Sequence, residues 1–151
     1  MLIGGLGMPK LLGVTKLELQ DDDLTGRIIG ASFEVANELG HGFPEAVYLN
    51  ALMLVLKDKG LTAQRQVPLK VRFKNAIVGE FFADIVVENT VILELKSVEL
   101  LLTDHQAQLI NYLTATGYDT GLLINFGRPR LEYKRCRPRR LSQTQEDSPT
   151  P

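Results

Sequence analysis

The stretch Thr90–Ser97, with the sequence TVILELKS, places two charged residues inside a run of Val, Ile and Leu. Such a run is typical of a strand in the middle of a sheet, with both faces covered. Because side chains alternate between the two faces of a strand, Glu94 and Lys96 should lie on the same face. Burying an acid and a base costs free energy unless they pair with each other or hold a ligand. A structural ion pair is the simplest interpretation, and Glu-x-Lys alone does not exclude it.

The apolar segment before this strand also contains an acid, Asp84. In a hairpin between the two strands, Asp84 and Glu94 share a face if the loop has three residues, and lie on opposite faces if it has two. The three-residue loop would consist of residues 88–90, with Val87 opposite Val91. Two carboxylates at that distance repel each other unless a cation lies between them, and such oxygen ligands suit Mg²⁺ or Mn²⁺.

Two helices are predicted in the N-terminal part of the chain. Asp23 or Thr25 can cap the first, whose apolar residues recur at helical spacing up to Leu39. Pro44 suits the first turn of the second, which should end near Lys59.

After the second helix the apolar period changes to two, which predicts strands, beginning with an antiparallel meander. A third helix should begin near Thr103 or Asp104 and end at Gly117. This order predicts an α/β fold with a mixed central sheet flanked by helices. The predicted strands cover residues 64–70, 71–74, 77–87, 91–97, 120–126 and 131–136.

The length of 151 residues leaves room for one domain. With 44% hydrophobic and 23% charged residues, the composition is that of a globular protein. We expect the domain to cover residues 23–137. A loose, glycine-rich N-terminal leader would precede it at 1–22, and a polar, disordered C-terminal tail would follow at 138–151.

The net charge of -1 excludes a protein-wide basic field, so nucleic-acid binding would have to be local. The obvious basic patch is the run Arg128–Arg140. The single cysteine, Cys136, cannot form an internal disulfide, although its basic neighbours could favour a thiolate. No apolar run is long enough for a membrane helix. We therefore expect a cytoplasmic protein with no membrane partner.

The pattern of an acid on one strand and Glu-x-Lys on the next, followed by a helix-strand unit, resembles the PD-(D/E)XK nuclease superfamily. In closer detail, the segment Gly42–Tyr48, GFPEAVY, looks like the signature of the family named for its Gly-x-x-Glu-x-x-Tyr motif. The resemblance covers residues 23–136 and implies a PD-(D/E)XK core, the restriction-endonuclease-like fold. Further segments similar to that family are 37–40, 94–96, 105–109 and 121–127.

The resemblance implies catalytic roles for four residues. Asp84 and Glu94 would be metal ligands, and Lys96 would orient or activate the attacking water and offset phosphate charge. Glu45 would be a further acid that completes the metal site; alternatively, it is a first-turn acid that interacts with the helix dipole. Tyr48 lies one turn after Glu45 and would either hold its carboxylate at the substrate site or serve packing.

The third helix carries the remaining candidates for substrate binding. Gln108 and Tyr112 are spaced i, i+4 and resemble a motif of the exonuclease branch of the superfamily. Both would face the cleft and contact the nucleic-acid backbone or brace the site. His105, near the start of the helix, is an accessory candidate, although an imidazole there more often caps the helix or faces solvent.

The sequence therefore predicts a metal-dependent nuclease that hydrolyses phosphodiester bonds of DNA or RNA with Mg²⁺ or Mn²⁺. The alternative is a nuclease-fold module with weak or no catalysis that binds nucleic acid or a protein partner. A third, purely structural interpretation treats Glu94 and Lys96 as a buried ion pair. Nucleic acid is the expected partner, and a homodimer is left open.

Overall fold

The structure is a computed structural model that describes residues 16–101 and 103–140, with side chains from residue 23 onward. It contains three helices and five strands within those residues. In chain order they are α1 (Lys16–Leu39), α2 (Glu45–Asp58), β1 (Ala63–Phe73), β2 (Ala76–Val87), β3 (Val91–Lys96), α3 (Thr103–Thr116), β4 (Thr120–Asn125) and β5 (Glu132–Cys136).

The five strands form one mixed sheet in the order β1-β2-β3-β4-β5. β1, β2 and β3 are an antiparallel meander, β3 and β4 are parallel, and β4 and β5 are antiparallel. A parallel pair needs a long crossover connection, and α3 supplies it between β3 and β4. The predicted α/β fold with a mixed central sheet flanked by helices is confirmed.

Two details of the elements differ from the prediction. α1 begins at Lys16, before the predicted caps Asp23 and Thr25, so the predicted start was wrong. The physical reason is that residues 16–22 contain helix-favouring Lys, Leu, Glu and Gln with no Gly or Pro to stop the helix. The strands predicted at 64–70 and 71–74 are one strand, whose register shifts at a bulge after Val71. Residues 1–15 of the predicted leader and 141–151 of the predicted tail lie outside the described residues.

The sheet separates two apolar cores. In β3, Val91, Leu93 and Leu95 pack with residues of α1 and α2. Ile92 packs on the opposite face with Leu109 of α3. By alternation, the side chains at positions 94 and 96 belong to the α3 face.

Close packing of α3 on the sheet depends on a glycine in β4. A Cβ added at Gly121 would lie 3.1 Å from side-chain atoms of both Leu109 and Leu113. The absence of a side chain therefore lets α3 approach the face that carries the two charged positions of β3.

Candidate active site

The β2–β3 hairpin has the register that brings the two strand acids together. Val87 pairs with Val91, so residues 88–90 form a three-residue loop, as predicted. Glu88 and Asn89 adopt positive φ angles of 52° and 55°, which allow this tight connection.

Asp84 is fixed at the point where β2 leaves β3. Its Oδ2 accepts a hydrogen bond of 2.7 Å from the backbone N–H of Leu95. The side chain is partly buried, and burial raises its pKa, while the Leu95 N–H and the positive charge of Lys96 act in the opposite direction. The strand backbone thus holds this carboxylate beside the central strand.

Glu94 is the most perturbed acid of the site. Burial raises its pKa to about 8, and the negative charge of Asp84 adds to the shift, while Lys96 opposes it. Its Oε1 is buried and has no hydrogen-bond partner among the described residues. An unsatisfied buried carboxylate oxygen is costly, which makes this atom the natural contact for a cation.

Lys96 interacts with both acids through its charge but does not close an ion pair. Its positive charge opposes the raised pKa values of Asp84 and Glu94. Within residues 23–101 and 103–140, the ion pairs of 4 Å or less join Lys59 to Glu34 and Arg128 to Glu132. The interpretation of Glu94 and Lys96 as a closed structural ion pair is therefore not supported.

Glu45 is the first residue of α2 and is exposed to solvent. Its negative charge contributes to the raised pKa of Glu94, so its carboxylate lies within electrostatic reach of the strand acids. In the described residues no three acidic, His or Cys side chains are close enough together to hold a metal ion. The structure thus brings Glu45 toward Asp84 and Glu94 without closing a three-carboxylate cage. Its first-turn position also suits a favourable interaction with the helix dipole.

Tyr48 packs in the core and binds the loop before α2. The side chain is fully buried, and its ring stacks on Phe126 with centroids 4.4 Å apart. Its hydroxyl donates to Gly40 O at 2.7 Å and accepts from Phe43 N–H at 3.1 Å. Of the two roles that the sequence left open for Tyr48, packing is the one seen here, because its hydroxyl is committed to the loop before α2. A contact of Tyr48 with substrate stays a prediction.

The candidates on α3 lie on the same face of the sheet as the strand acids but differ in exposure. Tyr112 is partly buried, and its ring stacks on Phe81 with centroids 3.5 Å apart, so it braces α3 against β2. Gln108, one turn earlier, is exposed, and His105 in the first turn is partly buried. Contacts of Gln108 and His105 with substrate stay predictions.

A family model of the PD-(D/E)XK nuclease superfamily matches residues 22–136. The chain belongs to this superfamily. The superfamily predicted from the strand motif is thus confirmed, and its members typically use divalent metal ions.

Further comparisons add little beyond the superfamily. A solved structure described as "Crystal structure of SSO0001" is similar with a TM-score of 0.48 and 18% sequence identity, over 80% of this chain. This chain spans 61% of the length of that protein. No curated protein matches the sequence. Within the described part of the chain, no helix has the length and apolar character needed to cross a membrane.

Asn125 is a residue of the superfamily domain that the sequence interpretation missed. It is fully buried, and its Oδ1 accepts hydrogen bonds of 3.0 Å from the N–H groups of Val98 and Gly127. Its Nδ2 donates to Val98 O at 3.0 Å and to Glu132 Oε1 at 3.1 Å. Asn125 therefore fixes the chain immediately after Lys96. A polar residue ending the apolar run of β4 was the available signal.

Two further contacts close the same junction. Ser97 donates its hydroxyl hydrogen to Phe43 O at 2.5 Å, which links the end of β3 to the loop before α2. A Cβ at Gly127 would lie 2.2 Å from the backbone of Val98, so only glycine fits there. These contacts hold the end of β3, and with it Lys96, against the loop that leads to Glu45.

A cavity of about 550 Å³ lies at this junction, beyond the carboxyl ends of the parallel strands β3 and β4. Ligands of open α/β sheets commonly bind at such a position. Its lining includes His41, Ser97, Glu99 and Arg128. The cavity lies at the residues that directly follow Lys96 in the chain, and Lys96 itself is not part of its lining.

Cys136 lies away from this chemistry. The thiol is buried, and burial raises its pKa to about 11 despite the nearby charge of Lys134. The basic neighbours, which could have favoured a thiolate at Cys136, do not lower its pKa, because desolvation outweighs their effect.

Proposed function

We propose that this protein is a metal-dependent nuclease that hydrolyses phosphodiester bonds of DNA or RNA, with Mg²⁺ or Mn²⁺ as its cofactor. The observation that carries the proposal is the buried Oε1 of Glu94, which has no hydrogen-bond partner in the described chain and lies in the field of a second carboxylate, Asp84. An acid pair of this kind is unfavourable by itself and is relieved by a hard cation.

The donor set fits Mg²⁺ or Mn²⁺. Mg²⁺ usually binds proteins through one or two carboxylates and completes its coordination with water and substrate phosphates. Asp84 and Glu94 would supply the protein ligands, and Glu45 would add negative charge from the start of α2. When bound, the ion would polarise the phosphate and lower the pKa of a nearby water.

Lys96 would act on the substrate directly. Its ammonium group forms no ion pair within residues 23–101 and 103–140, so its charge is not neutralised by a close carboxylate. A partly buried ammonium group beside two acids can orient the attacking water and stabilise charge that develops on the phosphate. This role requires Lys96 to keep its position at the end of β3, which Ser97 and Asn125 support.

We also propose membership of the family named for the Gly-x-x-Glu-x-x-Tyr motif, because Gly42 and Tyr48 of the motif both act on the loop that leads to Glu45. Gly42 has a φ of 92° and donates its N–H to Phe126 O at 3.2 Å. Tyr48 binds the backbone on both sides of this glycine. The motif thereby sets the position at which α2 begins and places Glu45 near the strand acids.

The test is cleavage of labelled single- and double-stranded DNA and RNA with Mg²⁺, with Mn²⁺ and with a chelator. We expect cleavage of at least one substrate with metal, and its loss in Asp84→Asn. Asp58→Asn, which makes the same chemical change at an exposed position near the end of α2, should keep full activity. Metal-independent cleavage, or equal activity of the two variants, would contradict the proposal. Binding without cleavage would identify the alternative function of a non-catalytic binding module. The cytoplasmic location and the homodimer stay predictions.

A further inference from the structure

The β1–β2 hairpin extends well past the candidate active site. β2 pairs with β3 at Ile85–Val87, and the described β3 ends at Lys96. Beyond Asp84, toward its N-terminus, β2 continues beside β1 as far as Ala76. Because β2 and β3 are antiparallel, this extension projects from the same end of the sheet at which Lys96 lies.

We call residues 70–80 the arm tip. It is the part of the hairpin beyond Leu69 and Phe81, which still pack with the core beneath α3. Every residue of the arm tip is exposed except Val71, which is partly buried. At a rise of roughly 3.3 Å per residue, the arm tip lies about 13 to 30 Å from Asp84 along the strand direction.

The arm tip is basic, although the whole chain has a net charge of -1. It carries Lys70, Arg72 and Lys74, and its acid is Glu80, the register partner of Lys70. It also exposes a ring, Phe73, which is 62% accessible and lies 5.6 Å from the Lys74 ammonium group. Cations beside an exposed ring are a combination that suits phosphates and bases.

Two other occupants fit this surface less well. Extension of the sheet by another strand is disfavoured at the β1 edge, because Pro68 has no N–H and the charge of Lys70 opposes pairing there. Symmetric pairing of two arm tips would bring like charges together. A polyanion matches the charge of the arm tip, and the candidate site at the base of the hairpin is suited to act on one.

We propose that the arm tip binds the backbone of the nucleic-acid substrate at a distance from the bond that is cut. Lys70, Arg72 and Lys74 contact phosphates, and Phe73 packs against sugars or bases. At about 3.4 Å per nucleotide along a strand, the contacts fall roughly 4 to 9 nucleotides from the cleavage position. This inference rests on the proposed function, because it takes Asp84 as the position of the reacting phosphate.

The test compares the triple variant Lys70→Gln, Arg72→Gln, Lys74→Gln with its parent, both carrying Lys96→Ala to prevent cleavage in Mg²⁺. Fluorescence anisotropy would measure binding of probes of about 6 and about 24 nucleotides, as DNA and RNA, single- and double-stranded. We expect a loss of affinity of about tenfold or more for the long probes, with a salt slope shallower by roughly 2 to 3. The short probes should bind the triple variant and its parent equally.

Two single variants serve as controls. Glu80→Gln removes the acid of the arm tip and should strengthen binding of the long probes. Lys57→Gln removes an exposed cation in the last turn of α2 and should change the affinity for neither the short nor the long probes. The same variants with an unmodified Lys96, measured in a chelator, exclude an effect of the Lys96→Ala background.

Equal binding by the triple variant and its parent would overturn the inference. So would equal losses for long and short probes, an absence of binding by the parent, or a change of oligomeric state in place of a change in binding. If the arm effect is found but no metal-dependent cleavage occurs, the proposed catalysis fails, and what stands is nucleic-acid binding by the arm tip without a cleavage position. If the unmodified protein cleaves its substrate but the arm-tip substitutions do not change binding, the proposed catalysis stands and the inference about the arm tip fails.

Discussion

Glu94 shows at the scale of one residue how burial and charge define the candidate site. It lies in a strand whose neighbouring residues Leu93 and Leu95 are buried. One carboxylate oxygen has no partner among the described residues, and the nearby acids Asp84 and Glu45 both disfavour its ionisation. A residue that only stabilised the fold would be expected to have a partner, so its environment is better explained by a ligand.

Stability of the metal-free protein should fall as pH rises through the range in which Glu94 ionises. Its pKa is about 8 in the folded protein and 4.5 in the reference state. Between these values the folded state holds one more proton than the unfolded state, so this group lowers the unfolding free energy by at most about 1.4 kcal/mol per pH unit. The raised pKa of Asp84 acts in the same direction. Below the reference pKa the contribution is fully present, and it is lost as pH passes the folded value.

Chemical denaturation in a chelator, from about pH 5 to about pH 9, would measure this slope. Glu94→Gln should show a weaker dependence and should exceed the parent in stability at the alkaline end. Addition of Mg²⁺ near pH 7 should release protons, because the ion requires the charged carboxylates. Parallel pH profiles for parent and variant would show that Glu94 ionises normally in the folded protein.

Asp84→Asn and Lys96→Ala should fail in different ways. Asp84→Asn removes a charge from the proposed metal site, so Mg²⁺ affinity and cleavage should both fall, while metal-free stability should be kept or rise as carboxylate repulsion is relieved. Lys96→Ala keeps both acids, so metal should still bind while turnover falls on the order of a hundredfold or more.

Titration calorimetry with Mg²⁺ and melting curves without metal would separate these cases. Loss of one partner of a closed buried ion pair costs about 3 to 5 kcal/mol. Because Lys96 forms no such pair in the described chain, we expect a clearly smaller loss in Lys96→Ala. A loss of the full size, with no Mg²⁺ binding by the parent, would return the purely structural interpretation.

At the scale of elements, local sequence patterns predicted those features of the fold that depend on residues near each other in the chain. The alternation in β3 and the length of the loop at 88–90 were sufficient for the pairing of β2 with β3, because the strand period and the loop length together fix the register. The start of α1 was missed, since capping residues such as Asp23 also occur inside helices. The roles of Tyr48 and Asn125 depend on backbone groups of other segments, which sequence spacing does not reveal.

Tyr48→Phe tests the loop that positions α2. The variant keeps the ring that stacks on Phe126 but loses the hydroxyl that binds Gly40 and Phe43. We expect a loss of stability of about 1 to 3 kcal/mol, because two backbone groups lose their partner. Cleavage should fall further than stability explains, since Glu45 begins the helix that this loop leads into.

Thermal melting and cleavage rates at a temperature where both proteins are folded would measure the two effects. Tyr133→Phe makes the same change on an exposed ring in β5 and should alter neither quantity. An unchanged cleavage rate in a destabilised Tyr48→Phe protein would limit the motif to a structural role.

At the scale of the whole molecule, charge distribution matters more than net charge. The acids of the candidate site lie on β2, on β3 and at the start of α2, while basic residues occur on the arm tip and along the run Arg128–Arg140. A net charge of -1 conceals this separation. The sequence located the C-terminal basic run, but it did not show that the β1–β2 hairpin carries a second one past the site, because that requires the strand register.

The last basic residues of the sequence, Arg137, Arg139 and Arg140, provide a test of the molecule-wide charge pattern. Arg137 is anchored by a 2.7 Å hydrogen bond to Thr120 Oγ1, whereas Arg139 and Arg140 have exposed side chains. Truncation after Arg137 should leave the fold intact, at a cost of about 1 kcal/mol for the lost hydrogen bond from Arg139 N–H to Thr114.

If Arg139 and Arg140 both contact phosphates, their removal should make the salt slope of nucleic-acid binding shallower by up to roughly 1.8. Truncation after Arg140 keeps both charges and is the matched control, which should retain the full slope. Identical slopes for the two truncated proteins would show that Arg139 and Arg140 do not touch the phosphate backbone. Phosphate contacts would then have to come from the arm tip and from the rest of the basic run.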